Sequence, residues 1–265
     1  MESIIFTKKE FNELKTLVYK TSGINLHEGK LELLKSKVAK RMRLTGKSLQ
    51  NYLDYLKRSD REIIEFIDTV TTNHSFFFRE NNNIEYIVNQ FECHNQKSTK
   101  HFNIWCAACS TGDEPYSVAI QMKNLGLSFS MLATDISHSV LNVAKKGIYK
   151  KDRTQKVPTR MMHRFFQKGS GRHKDYIKVK KELAQQIAFK KFNLIADTIP
   201  QMDFDAVLCR NVMIYFDQKT SEKVVNKLYQ SLVPGGFFAI GNAESLMNMN
   251  QKFESIKGVS SLYVK

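Results

Sequence analysis

Proline and cysteine are scarce in this 265-residue chain, four of each, and no apolar run approaches the roughly 18 residues that a membrane-spanning helix needs. No secretory pattern follows Met1, so the expectation is a soluble, cytoplasmic protein without membrane insertion. The cysteines, at 93, 106, 109 and 209, are too few and too irregular for a disulfide framework. Cys106 and Cys109 form a C-x-x-C, but Cys106 falls in or beside an apolar run and no second pair exists, so both read as small core residues lining a turn, not as metal ligands. Two phosphate-binding signatures are also missing. Without G-x-G-x-x-G an ordinary dinucleotide site is disfavoured, and the absence of G-x-x-x-x-G-K-[ST] argues against a P-loop.

Charge of one sign is not scarce. The net charge is +15, and residues 145–191 alone hold 16 Lys/Arg against 3 Asp/Glu. Such a segment is either a solvated basic face or a docking surface for an acidic partner. Hydrophobic residues make up 42% of the chain, ample for one large or two modest packed domains.

The first 70 residues read as all-helical, with Phe11, Leu14, Leu17 and Val18, and later Ile63, Ile64, Phe66 and Ile67, at helical spacing. Between them Lys30, Lys37 and Arg41 share one helix face, with Lys40 and Arg43 beside them; this stripe is either solvated or meets carboxylates on a partner helix. A different texture begins at residue 102, where FNIWCA is short, apolar and bounded by polar residues, as in a strand covered on both faces. Ser110, Thr111 and Gly112 then supply a turn that lets backbone approach a ligand, followed by a helix from about Asp113. Thr111 and Glu114 have capping-box spacing, and Pro115 suits a first helical turn. The next apolar stretch, Phe129 to Ala133, ends at Asp135, 23 residues beyond Gly112, where an acidic side chain can accept ribose hydroxyl hydrogen bonds.

Two more constellations stand out. In TTNHSFFFRE, residues 71–80, the three phenylalanines suit core packing and Arg79 with Glu80 a surface pair; alternatively Asn73, Ser75 and Arg79 present an amide, a hydroxyl and a cation to a ligand carboxylate. In DAVLCRNVMIYFD, residues 205–217, Arg210 and Asn211 follow an apolar strand at the sheet edge where α/β folds bind ligands, and Tyr215 can face the same opening or pack. Alternating runs at 176–179 and 187–192 suggest a small antiparallel sheet.

Taken in order, TTNHSFFFRE, IWCAACSTGDEPYS, LATDIS, FNLI, VLCRNVMIYFD and PGGFFAIGNAES resemble the CheR-type chemotaxis-receptor glutamate O-methyltransferases over nearly the whole chain, including the GINL stretch at 23–26. The resemblance implies an α/β fold: a Rossmann-like class I methyltransferase domain over 81–265, an all-helical domain over 1–80, and a small antiparallel β-subdomain inserted at about 165–192. It implies S-adenosyl-L-methionine as cofactor, S-adenosyl-L-homocysteine as product, and cofactor contacts at Asn73, Ser75, Arg79, Glu114, Asp135, Asn193, Leu194, Arg210 and Asn211. Within that set Arg79 would pair with the methionyl carboxylate, Asp135 and Glu114 would take the ribose or amino end, and Asn193 with Leu194 would frame the adenine. Ser75 stands where the family usually has Thr. Arg79, Arg210 and Tyr215 are candidates to orient an incoming substrate carboxylate, and no metal is implied.

The implied partners are the acidic helical domains of chemoreceptors, met by Lys30, Lys37 and Arg41 and by the basic segment 145–191, with a receptor tail peptide on the β-subdomain. Two rivals have sequence consequences. A nucleic-acid methyltransferase would suit the positive charge, but no proline precedes Pro or Cys, as the adenine-N6 and cytosine-C5 patterns require. A degenerate cofactor-binding regulatory module is the other; Arg79, Asp135 and Asn211 are all retained.

Overall fold

The computed structural model describes residues 6–26, 29, 31–70 and 75–265. Asn73 and Lys30 lie outside the described residues. Helices α1 (Lys8–Ser22), α2 (Leu31–Thr45), α3 (Leu49–Arg58) and α4 (Asp60–Val70) enclose a separate core around Leu14, Val18, Val38, Tyr52, Phe66 and Ile67. Helix α1 begins with a true capping box: the Glu10 amide donates to Thr7 Oγ1 at 3.2 Å while the Thr7 amide donates to Glu10 at 2.8 Å. It ends at Gly23, whose φ of +74° is left-handed and whose missing Cβ would lie 2.8 Å from the Ile195 side chain. That double constraint predicts a loss of about 1–3 kcal/mol for Gly23→Ala; a thermal melt unchanged from wild type would contradict it.

Arg41 corrects an expectation. It is not on a partner-facing stripe: its Nε and Nη2 donate to the two carboxylate oxygens of Glu62 at 2.8 and 2.7 Å, and Tyr52 adds its hydroxyl at 3.1 Å. Glu62 is buried on α4 and needs a countercharge, so the fold draws Arg41 inward. Lys40 and Arg43 stay exposed on α2.

After α5 (Asn82–Lys97) comes the strand-turn-helix unit β1 (His101–Ala107) and α6 (Asp113–Asn124), then β2 (Ser128–Asp135) and α7 (His138–Lys146). Next are β3 (Ile148–Lys150), α8 (Thr159–Phe165), β4 (Phe166–Lys168), β5 (Tyr176–Val179), α9 (Lys181–Ala184) and β6 (Ile187–Lys191). The chain finishes with β7 (Phe204–Leu208), α10 (Gln218–Gln230), β8 (Leu232–Ala239), β9 (Glu254–Ser255) and β10 (Leu262–Val264). The large sheet has the order β6-β2-β1-β7-β8-β10-β9; β6 to β8 run parallel and β10 is antiparallel to both neighbours. Pro234, Gly235 and Gly236 lie within β8, as a register shift against β7.

The second sheet is β3-β5-β4, antiparallel throughout. The expected pairing of 176–179 with 187–192 is therefore incorrect. Strand β6 joins β2 in the large sheet, Met131 opposite Ile187 through Asp135 opposite Lys191, so 165–192 is not one inserted unit. Strand β3, well before residue 165, completes the small sheet instead.

Candidate active site

Four strand ends build a cavity of about 260 Å³ at the C-terminal edge of the large sheet. Ala108 to Ser110 follow β1, Asp135 ends β2, Phe192 to Leu194 follow β6, and Arg210 to Tyr215 follow β7. Every described candidate residue lines it: Ser75, Arg79, Glu114, Asp135, Asn193, Leu194, Arg210, Asn211 and Tyr215. Sequence reading missed the helical domain's share, Ser22 and Ile24. A backbone bridge between Ile24 and Phe216, and a hydrogen bond from the Asn25 amide to the Tyr215 carbonyl at 2.8 Å, fix that wall.

The loop after β1 is held in a costly conformation. Ala108, Ser110 and Gly112 have φ of 107°, 48° and 90°; for the two non-glycine residues this stores roughly 1–3 kcal/mol each, a cost that clusters at functional sites. The loop is folded onto the end of β2: the Ala108 and Cys109 amides both donate to the Thr134 carbonyl at 2.8 Å, and the Ser110 amide to Asp135 Oδ2 at 2.8 Å. Gly112 must lack a side chain because its Cβ would meet Ala144 at 2.8 Å and Tyr149 Oη at 3.0 Å. The capping box expected for α6 does not form. Gly112 is the N-cap, Thr111 donates to Asp113 at 2.7 Å, and Glu114 turns instead toward Arg210.

Asp135 accepts the Ser137 amide on Oδ1 at 3.0 Å and the Ser110 amide on Oδ2 at 2.8 Å. Burial outweighs these bonds and raises its pKa from 3.8 to about 6. Each oxygen keeps acceptor capacity for one hydroxyl of a vicinal diol.

Arg210 has a different role from the one expected. Its side chain is only 2% exposed. Nη1 donates to Glu114 at 2.9 Å, and Nη2 donates to the Arg79 and Glu80 carbonyls, both at 2.9 Å, and to the Glu80 carboxylate at 3.3 Å. With both terminal nitrogens committed to protein, Arg210 holds the pocket wall together and does not grip a substrate carboxylate. Burial raises the Glu114 pKa, with Arg210 opposing. At Glu80 burial also pushes upward, but the Asn242 amide, Arg210, Asn211 and Arg79 overcome it and the net shift is downward.

Asn193 is likewise engaged: Nδ2 donates to the Thr21 carbonyl at 2.7 Å, and Oδ1 accepts the Ile195 amide at 2.9 Å. Its side chain ties the β6 loop to α1. Asn211, at φ 58°, donates to Glu80 from its side chain and to Glu244 from its amide at 3.0 Å. Glu244 accepts also from Gly241 at 2.6 Å, Met213 at 2.7 Å and Ile214 at 3.3 Å. Sequence reading paired Glu80 with Arg79, and the two stand 3.5 Å apart, but it gave no sign of Arg210 or Asn211 as further partners and none of any partner for Glu244.

Two family profiles together span almost all of this chain, the CheR methyltransferase all-alpha domain over residues 9–71 and the CheR methyltransferase SAM binding domain over 73–261. The chain belongs to the CheR methyltransferase family. It is 35% identical to the chemotaxis protein methyltransferase of Borreliella burgdorferi, across 96% of this chain and 94% of that one. Against chemotaxis protein methyltransferase 2 of Pseudomonas aeruginosa the identity is 33%, over 95% and 91%. Against the Escherichia coli chemotaxis protein methyltransferase it is 31%, over 95% and 90%.

The fold of this CheR-family chain is that of a class I methyltransferase, and its cofactor is S-adenosylmethionine. The residues present fit that group. Asp135 offers two oxygens to a diol, and Ser110 Oγ is buried at the cavity without a hydrogen-bond partner of its own, an available polar atom where a ligand would meet it. Among the described residues no helix is long and apolar enough to cross a membrane.

Proposed function

We propose that this CheR-family protein methylates glutamate side chains of chemotaxis receptors, giving glutamate methyl esters. The observation that carries the reading is the single cavity that gathers Ser75, Arg79, Glu114, Asp135, Asn193, Leu194, Arg210 and Asn211 from five separate segments of the chain. S-adenosylmethionine, when bound, supplies the electrophilic methyl group. Asp135 holds the ribose diol, Arg79 the methionyl carboxylate and Glu114 the amino end, while Arg210 keeps Glu114 and the Arg79 backbone in place.

A glutamate side chain ionises near pH 4.3, so the acceptor arrives as a carboxylate and needs no base. The protein's contribution is alignment and exclusion of water. Tyr215 and the half-exposed Ile214 line the mouth of the cavity, where the incoming side chain passes. Docking is electrostatic: Lys37, Lys40 and Arg43 on α2, and the exposed Lys150, Lys168 and Lys178 of the small sheet, face acidic receptor helices and a receptor tail peptide, the latter added as a strand beside β3 or β4. Such transfer takes place in the cytoplasm, where receptor signalling domains lie.

The test is transfer of labelled methyl groups to receptor cytoplasmic fragments, DNA and RNA in parallel, followed by alkali. Base-labile label on the receptor fragment is the expected result. Stable label on nucleic acid would overturn the reading.

A further inference from the structure

Arg153 lies outside every motif that the cofactor site accounts for, hidden in the sequence among the cations of 145–191. It sits on a short 3-10 turn, Lys151–Thr154, directly after β3. A single guanidinium nitrogen, Nη2, donates to the Ser75 carbonyl at 2.7 Å, to Thr111 Oγ1 at 2.6 Å and to Asp113 Oδ2 at 2.6 Å. The Phe77 amide returns a bond to the Arg153 carbonyl at 3.1 Å, and the guanidinium lies 5.5 Å from the Tyr149 ring.

Asp113 is the reason the cluster is strong. Its side chain is 0% exposed, so an unpaired charge there would be severely penalised. Burial raises its pKa, with Arg153 the foremost opposing influence. Position on the first turn of α6 helps it remain a carboxylate, since a helix N-terminus favours negative charge.

The groups Arg153 joins belong to the two segments that form the cofactor wall. Ser75 opens the stretch that carries Arg79; Thr111 and Asp113 flank Gly112, between Ser110 and Glu114. We infer that Arg153 is a positioning residue for S-adenosylmethionine: it sets the spacing between the Arg79 segment and the Ser110–Glu114 turn, and ties both to the base of the small sheet. The inference rests on the cofactor reading above.

Titration of the full-length protein with S-adenosylhomocysteine tests it, with circular dichroism used to choose a temperature well below each variant's melting transition. Arg153→Met is expected to weaken binding at least tenfold and to raise the KM for S-adenosylmethionine by a similar factor, with kcat within about threefold of wild type. Arg153→Lys, whose ammonium carries three N–H groups for the three acceptors that the two hydrogens of Nη2 share, is expected to recover most of the affinity. Thr111→Val, which removes the hydroxyl's bonds to Arg153 and Asp113 and keeps the ion pair, remains informative should Arg153→Met not fold; it is expected to weaken binding about threefold. Wild-type affinity in Arg153→Met, or in Thr111→Val where Arg153→Met does not fold, would overturn the inference. A lowered melting temperature with unchanged KM would overturn it equally, as the mark of a purely structural role. Failure of the wild-type protein to bind S-adenosylhomocysteine would strike the cofactor reading itself.

Discussion

Replacing Arg210 by methionine is expected to abolish measurable methyl transfer and to lower the stability of the fold at the same time. The change leaves the Glu80 and Glu114 carboxylates facing one another across a nearly dry site, with two backbone carbonyls stripped of their donor. Breaking a buried pair in this way costs about 3–5 kcal/mol. Glu114, already raised by burial, loses the nearby cation that opposes that rise, so its pKa moves further up, and the Arg79 segment is released from the end of β7. Misplacement of a cofactor wall by an ångström costs on the order of 100-fold in rate. Lysine does not substitute, because one ammonium cannot span Glu114 and the two carbonyls as a planar fork does. Melting curves and initial rates on Arg210→Met and Arg210→Lys are the measurements; a lysine variant with near wild-type turnover would show that charge alone suffices.

Asp135 gives the second large effect. Asp135→Ala removes both acceptors for the diol and is expected to weaken S-adenosylhomocysteine binding by about 1–3 kcal/mol. The pH dependence has a definite sign. In the ligand-free protein this carboxyl titrates at about 6, well above an ordinary aspartate, because burial penalises its charged form. Cofactor hydroxyls need the carboxylate, so below that pH protons compete with the cofactor and binding releases one. Affinity is therefore flat above neutrality and falls by roughly tenfold for each pH unit once well below 6. Calorimetry between pH 5 and 8 in wild type and Asp135→Ala separates this residue from the rest: the variant is expected to lose the acid limb. Equal pH profiles would remove Asp135 from the site.

Local pattern made the strand-turn-helix around Gly112, the acidic end of β2 and the Arg210-Asn211 step readable, because consecutive residues carry each of them. Longer-range choices were not encoded that way. The runs at 176–179 and 187–191 both alternate buried and exposed residues, and a period of two says nothing about which sheet a strand joins. Arg41 occupies the helix face its spacing implies, but Glu62, which claims it, comes from α4. Thr111 and Glu114 have the spacing of a cap, and a buried arginine nearly a hundred residues later proved the stronger partner. The motifs located the cavity; the identity of each side chain's partner depended on elements that approach only in the finished fold.

That dependence bears on when the protein can become competent during synthesis. The carboxylate of Glu244 gathers the amides of Asn211, Met213, Ile214 and Gly241, and so shapes the turn at the cavity mouth from a point close to the end of the chain. Arg210 and Arg79, which share a bond at 2.9 Å, stand 131 residues apart. Helices α1 to α4 pack mainly on one another, and α1 gains its contacts with Ile195 and Phe216 only later, but the turn at the cavity mouth is fixed only once Glu244 has been added. Cofactor affinity is thus a readout of chains that extend past Glu244: products stalled before it would lack the carboxylate that shapes the cavity mouth.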